Sequence, residues 1–186
     1  MAVEPYYDED GITLYHGDCL EITEWVDCEW LVTDPPYGRR WRQGDTATRR
    51  GWKSDRNDGI ANDSDTSARD AALALWGDRP AIVFGDLTLP PPSGSKATLV
   101  YDKGTAAGFM GAVGGYRRNV EGIYLLGPHP ATLGGRSAVL SSQGITPPNL
   151  SKHVGHPHTK PVDVMVALLS PVLESVADPF AGSGST

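Results

Sequence analysis

No stretch of this 186-residue chain approaches the roughly 18 consecutive apolar residues that a membrane-spanning helix needs. The first ten residues, Met-Ala-Val-Glu-Pro-Tyr-Tyr-Asp-Glu-Asp, are acidic and contain no apolar core, so they do not form a secretory signal. Cysteine is scarce: Cys19 and Cys28 make no C-x-x-C pair, and in a reducing compartment both remain thiols. These absences point to a cytoplasmic protein with no membrane partner. Basic residues are also few, 16 Lys and Arg against 23 Asp and Glu, giving a net charge of -7. Taken as one number, that balance argues against nucleic acid, whose phosphates need Lys and Arg.

The distribution of charge reverses that argument. Arg39, Arg40, Arg42, Arg49, Arg50, Lys53 and Arg56 lie within 18 positions, interleaved with Trp41 and Trp52 and opposed only by Asp45 and Asp55. A basic stripe carrying aromatics on an otherwise acidic chain is the footprint of a nucleic-acid contact. With 39% apolar and 21% charged residues the whole is ordinary globular material, long enough for one domain with a real core.

Short apolar runs at Ile12 to Tyr15, Trp30 to Thr33, Ala81 to Phe84, Ala97 to Tyr101, Gly122 to Leu126 and Glu174 to Ala177 predict strands. Most are near-continuous, as in strands covered on both faces. Ser67 to Trp76 and Val162 to Leu169 read as helices, the second following Pro161, a favourable first helical residue. The expected architecture is α/β, with an open, mostly parallel sheet. Residues 38–66, rich in Gly, Arg, Asp, Asn, Ser and Thr, are expected to form a long loop of functional type. A second irregular region is expected at about 127–155, and Asp55, Asp58, Asp63 and Asp65 read as solvated loop carboxylates. Trp25, Trp30 and Trp76 read as core.

Two motifs stand at carboxyl ends of expected strands, where open α/β sheets place their ligands. Asp34-Pro35-Pro36-Tyr37 follows Trp30-Leu31-Val32, and Asp178-Pro179-Phe180-Ala181-Gly182-Ser183-Gly184 follows Ser175-Val176-Ala177. Taken alone, the first also suits a proline turn, and a bare G-x-G is a weak signal. Together, and in this order, with His156-Pro157-His158-Thr159-Lys160-Pro161 between them, they resemble the circularly permuted β-class of the S-adenosylmethionine-dependent DNA amino-methyltransferases. The resemblance extends over nearly the whole chain but omits the family's final strand and helices. It implies a single, incomplete Rossmann-like methyltransferase domain over 1–186, ending inside the cofactor motif, and hence weak cofactor binding and a homodimer or a missing C-terminal partner chain.

The same resemblance implies site roles and a bacterial or phage enzyme acting on double-stranded DNA. Asp34, Pro35, Pro36 and Tyr37 form the catalytic motif. The amino nitrogen of adenine is a poor nucleophile because its lone pair is delocalised, and acceptors at Asp34 and the Pro35 carbonyl would localise it and stabilise the charge that develops. Prolines fix φ and carry no competing N–H. Tyr37 offers a ring for an extruded base. S-adenosylmethionine would meet Asp18, Cys19, Asp34, Lys160, Asp178, Phe180, Gly182, Ser183 and Gly184, and DNA would meet Arg39, Arg40, Arg42, Arg49, Arg50 and Lys53. Asp18 equally suits a helix cap, with Glu21 completing a capping box. Lys160 reaches the cofactor carboxylate or is solvated, and Arg117-Arg118 touches phosphate or is surface charge. His153, His156 and His158 have no fourth partner at metal-ligand spacing, so no metal is expected. Asp in the first motif position favours adenine N6. Cytosine N4 is the alternative, as is a catalytically silent DNA-binding fragment.

Overall fold

A computed structural model describes residues 3–40, 60–104, 107, 112–130, 135–142, 159–172, 174–182 and 184. Its elements are β1 (Tyr7–Glu9), β2 (Ile12–Leu14), a 3-10 turn (Glu24–Asp27), β3 (Trp30–Thr33), α1 (Ser67–Trp76), β4 (Ala81–Gly85), β5 (Ser95–Asp102), β6 (Val120–Leu126), β7 (Val139–Ser141), α2 (Val162–Leu169) and β8 (Val176–Ala177). Both expected helices occupy the residues the sequence assigns to them.

Every residue of β3 and β4 is buried, as their unbroken apolar runs require of strands covered on both sides. Six strands form one sheet in the order β7-β5-β6-β4-β3-β8. β3 is parallel to β4 and β8, and β5 is parallel to β7. β6 pairs antiparallel with both β4 and β5. All strands but β6 therefore point the same way, and their carboxyl ends share one edge.

The pleat sends alternate residues to opposite faces. Trp30, Val32, Ile82, Phe84, Tyr101 and Ile123 pack with Val164, Met165 and Leu168 of α2. Leu31, Ala81, Val83, Tyr124, Leu126 and Ala177 pack with Trp76 of α1. The sheet is thus a middle layer with a helix on each side. Trp30 and Trp76 are core, as expected, and Trp25 stacks on Trp76 with ring centroids 6.0 Å apart.

On the α1 side, Arg79 closes the layer. Its guanidinium lies 3.7 Å from the Trp76 ring centroid and donates to the carbonyls of Val26 (2.7 Å) and Cys28 (2.9 Å), joining the 3-10 turn to the entrance of β4. Gly127, which ends β6, passes over this point with φ 69, and a Cβ there would stand 2.1 Å from the Arg79 carbonyl oxygen. Only glycine fits.

The run from Ile12 is a strand, as expected, and two other expectations are corrected. The run from Ile12 does not join the main sheet: it pairs with β1 as a separate antiparallel hairpin whose residues are all exposed. With apolar residues on both sides of a polar Thr13, the run lacks the two-face apolar cover that a central strand requires. The region expected to be irregular at 127–155 contributes β7 to the sheet edge, where Leu140 packs against the α2-side core. Asp63 is not solvated but 4% exposed.

Candidate active site at the carboxyl ends of the strands

The pleat that puts Trp30 and Val32 on the α2 face carries Asp34 toward that face just beyond the end of β3. Its neighbours come from three other places. Lys160 immediately precedes the turn into α2, Glu121 lies on β6, and Lys103 follows β5. Lys160 Nζ donates to Asp34 Oδ2 at 2.5 Å and lies 3.3 Å from Glu121 Oε2, while Lys103 Nζ donates to Glu121 Oε1 at 2.9 Å. Two carboxylates and two ammonium groups thus alternate along one line. Lys160 is 6% exposed and Glu121 8%, so the centre of the line is dry. Phe84, whose ring centroid is 5.0 Å from Lys160 Nζ, and Tyr101, the register partner of Glu121, wall it off.

Charges in such a place must satisfy one another. Burial acts most strongly on the Lys160 ammonium and pulls its pKa down, but the carboxylates of Asp34 and Glu121 outweigh burial and hold it above the ordinary lysine value. Burial likewise pushes Glu121 up, and Lys160 and then Lys103 more than reverse this, leaving it well below the usual carboxylate range. Both groups are therefore ionised near neutrality. The Tyr37 hydroxyl donates to Asp34 Oδ1 at 2.8 Å. Burial, then the charges of Asp34 and Glu121, raise its pKa far above that of a free phenol, so it stays a donor.

The second motif meets the first across the β3–β8 pair. Leu31 is in register with Ala177, so the residues that follow leave the sheet side by side. Thr33 Oγ1 donates to Asp178 Oδ1 at 2.6 Å, and the same oxygen accepts the Phe180 amide at 3.0 Å. Gly182 and Gly184 turn with φ 55 and 70, and a Cβ at Gly184 would meet nothing within 4 Å. A bare, left-handed backbone turn beside open space can let a ligand approach the chain closely.

No protein-family model matches the chain, and no curated protein matches it in sequence. A solved structure does. The crystal structure of the M1.HpyAVI–SAM complex superposes with a TM-score of 0.53 at 16% identity, covering 92% of this chain and 84% of that one. The two chains share a fold, the Rossmann-like α/β methyltransferase fold with an open, mostly parallel sheet.

The remaining residues of interest have varied surroundings. Asp18 caps a turn: its Oδ1 accepts the Leu20 amide at 2.9 Å and its carbonyl the amides of Glu21 and Ile22, but no α-helix follows, so the capping box is not formed. The Cys19 carbonyl accepts the Trp25 indole N–H at 2.8 Å, and burial, then the Asp18 charge, push its thiol up. Arg39 is drawn inward, its Nε 2.8 Å from Asp86 Oδ2. Arg40 is exposed and its Nε donates to the Ser64 carbonyl at 3.4 Å. Arg42, Arg49, Arg50, Lys53, Asp55, Asp58, His153, His156, His158 and Ser183 lie outside the described residues. Among the described residues no cluster of His, Cys, Asp and Glu could hold a metal ion, and no helix is long and apolar enough to cross a membrane.

Lys160 is the main correction here, being neither solvated nor free: its ammonium is held by Asp34 and Glu121. Asp63 is the second. Its carboxylate accepts the amides of Gly38 (2.7 Å) and Arg39 (3.2 Å), and its carbonyl that of Arg40 (2.6 Å). It thereby ties residues 38–40, directly after Tyr37, to Asp63. Glu121 and Lys103 carried no sequence signal beyond being charged residues at opposite ends of paired strands.

Proposed function

We propose that this chain is an S-adenosylmethionine-dependent DNA methyltransferase acting on adenine N6 of a flipped-out base. The observation that carries the reading is the Thr33–Asp178 hydrogen bond of 2.6 Å, which sets the Asp34 carboxylate and the glycine turn on neighbouring parallel strands at one edge. The neighbour with this fold was solved with SAM. The residues fit such a ligand: Gly182 and Gly184 offer bare backbone, and Asp178 is already fixed by Thr33 and the Phe180 amide.

S-adenosylmethionine, held at Asp178, Phe180, Gly182 and Gly184, would supply an electrophilic methyl group to the amino nitrogen of the base. The chain's own residues prepare the amine. Asp34 uses one oxygen for Tyr37 and the other for Lys160, and a carboxylate has about four acceptor sites, so sites remain for an amino N–H. The buried Pro35 offers its carbonyl as the second acceptor. Positive charge growing on the nitrogen is stabilised by the Asp34 carboxylate, and the surplus proton then leaves to solvent. Tyr37, half-buried with its hydroxyl anchored, presents its ring to the base.

The test is transfer of a labelled methyl group to unmethylated genomic DNA, followed by hydrolysis and identification of the nucleoside. Label in N6-methyladenine supports the reading, label in N4-methylcytosine replaces the base while keeping the enzyme class, and no transfer to DNA overturns it. Asp34→Ala should lower transfer by on the order of a hundredfold or more.

A further inference from the structure

Resting on that reading, we infer that Glu121 is a positioning residue that provides a second seat for the Lys160 ammonium, drawing it off Asp34 when the amino group of the base arrives. The geometry is asymmetric. Lys160 donates a short, aligned hydrogen bond to Asp34 Oδ2, whereas the buried Glu121 Oε2 shares the same nitrogen through a longer ion-pair contact of 3.3 Å that is not aligned as a hydrogen bond. A buried carboxylate oxygen that holds its cation only by the longer contact still has room for a full hydrogen bond. The nearest cation is already its neighbour, and a small rotation of the Lys160 side chain exchanges one acceptor for the other.

The exchange matters because the two jobs of Asp34 conflict. An acceptor for an amine that turns cationic works through its negative charge. An ammonium fixed at 2.5 Å cancels much of that charge in a dry site where electrostatics are weakly screened. With Glu121 as an alternative partner, Lys160 keeps its own compensation while Asp34 faces the base with its charge available and the Tyr37 hydroxyl still orienting it. Lys103, at 20% side-chain exposure, balances Glu121 from the solvent side, so the set of two acids and two bases stays neutral throughout.

Glu121→Gln keeps the shape of the side chain and a carbonyl acceptor but removes the charge. It should lower kcat by on the order of tenfold, with KM for both substrates changing by less than about twofold, because the missing interaction acts in the transition state. The 13Cε resonance of Lys160 in NMR should titrate at lower pH in this variant than in wild type. The groups that set that titration are Asp34, Tyr37, Glu121 and Lys103, and only Glu121 has changed. The double variant Lys160→Met with Glu121→Gln removes a buried cation together with its second partner, a replacement that buried ion pairs commonly tolerate. It should regain most of the turnover that the single variant forfeits, because no cation is left to neutralise Asp34. A double variant slower than Glu121→Gln, or a single variant with wild-type kcat and an unmoved Lys160 titration, would overturn the inference while leaving the methyltransferase reading intact. A wild type that transfers no methyl group to DNA would remove both.

Discussion

Asp34 is held from two sides, by a phenol that stays protonated and by an ammonium that stays charged, and both restraints come from residues named in the sequence motifs. Tyr37→Phe keeps the ring and removes only the hydroxyl bond to Asp34 Oδ1, so it should reduce turnover several-fold through misorientation, less than Asp34→Ala does; steady-state kinetics of the two variants side by side check the order. The buried pair also leaves a mark on stability. Glu121 is depressed in the folded chain, to about 2, from about 4.3 in an unfolded one, so its contribution is fully present above roughly pH 5 and is lost as pH falls toward the folded value. Lys160 is raised, so its contribution is present below about pH 10 and is lost only as pH rises through its folded value. Thermal melts of wild type and Glu121→Gln should therefore differ most near neutrality and converge as the pH drops below about 4. A gap that stays constant down to pH 3 would show that the charge of Glu121 contributes nothing to the fold.

At the level of elements, β3 and α2 do most of the positioning, β3 delivering Asp34 and α2 setting Lys160 against it. Both were legible in the sequence, because their apolar runs are uninterrupted and because proline marks the start of α2. Also readable was the placing of two motifs at strand ends. The pairing partners were not readable: Glu121 sits on β6 and Lys103 after β5, and only the antiparallel register Tyr101 to Glu121 and Asp102 to Val120 brings them under Lys160. Nothing in a single strand's pattern reports which strand lies beside it. The same holds for Asp63, one of four acids in a polar stretch, whose burial depends on the amides of Gly38 and Arg39 closing on it. The run from Ile12 was readable as a strand, but its pairing with β1 in a separate hairpin was not, because a short strand carries no record of its partner. Where the register leaves no room, substitution should be costly. Gly127→Ala places a Cβ against the Arg79 carbonyl in a left-handed backbone and should destabilise the fold by about 1–3 kcal/mol, read from urea denaturation midpoints. A midpoint within error of wild type would mean that the β6 terminus is not clamped to Arg79 as described.

For the whole molecule, the proposed function asks an acidic chain to meet an anionic polymer, and the basic segment after Tyr37 is the part of the sequence suited to it. Because Arg39 is occupied by Asp86, binding is expected to rest on the others. Neutralising Arg40, Arg42, Arg49 and Arg50 should flatten the dependence of DNA affinity on salt, by about 0.9 in the log–log slope for each phosphate no longer neutralised, and adding Arg39→Ala should change the slope little further. An unchanged slope would assign the segment to another partner. On the proposed function, the glycines after β8 and the carboxylate after β3 serve one reaction at one edge of the sheet. The decisive measurement is a crystal structure with sinefungin, the S-adenosylmethionine analogue in which a carbon replaces the sulfonium sulfur and bears an amine in place of the methyl group. The analogue should lie against Asp178, Phe180, Gly182 and Gly184 with that amine directed at the Asp34 carboxylate, and an analogue bound at the opposite edge, or with its amine turned away from Asp34, would show that the two motifs do not share a reaction.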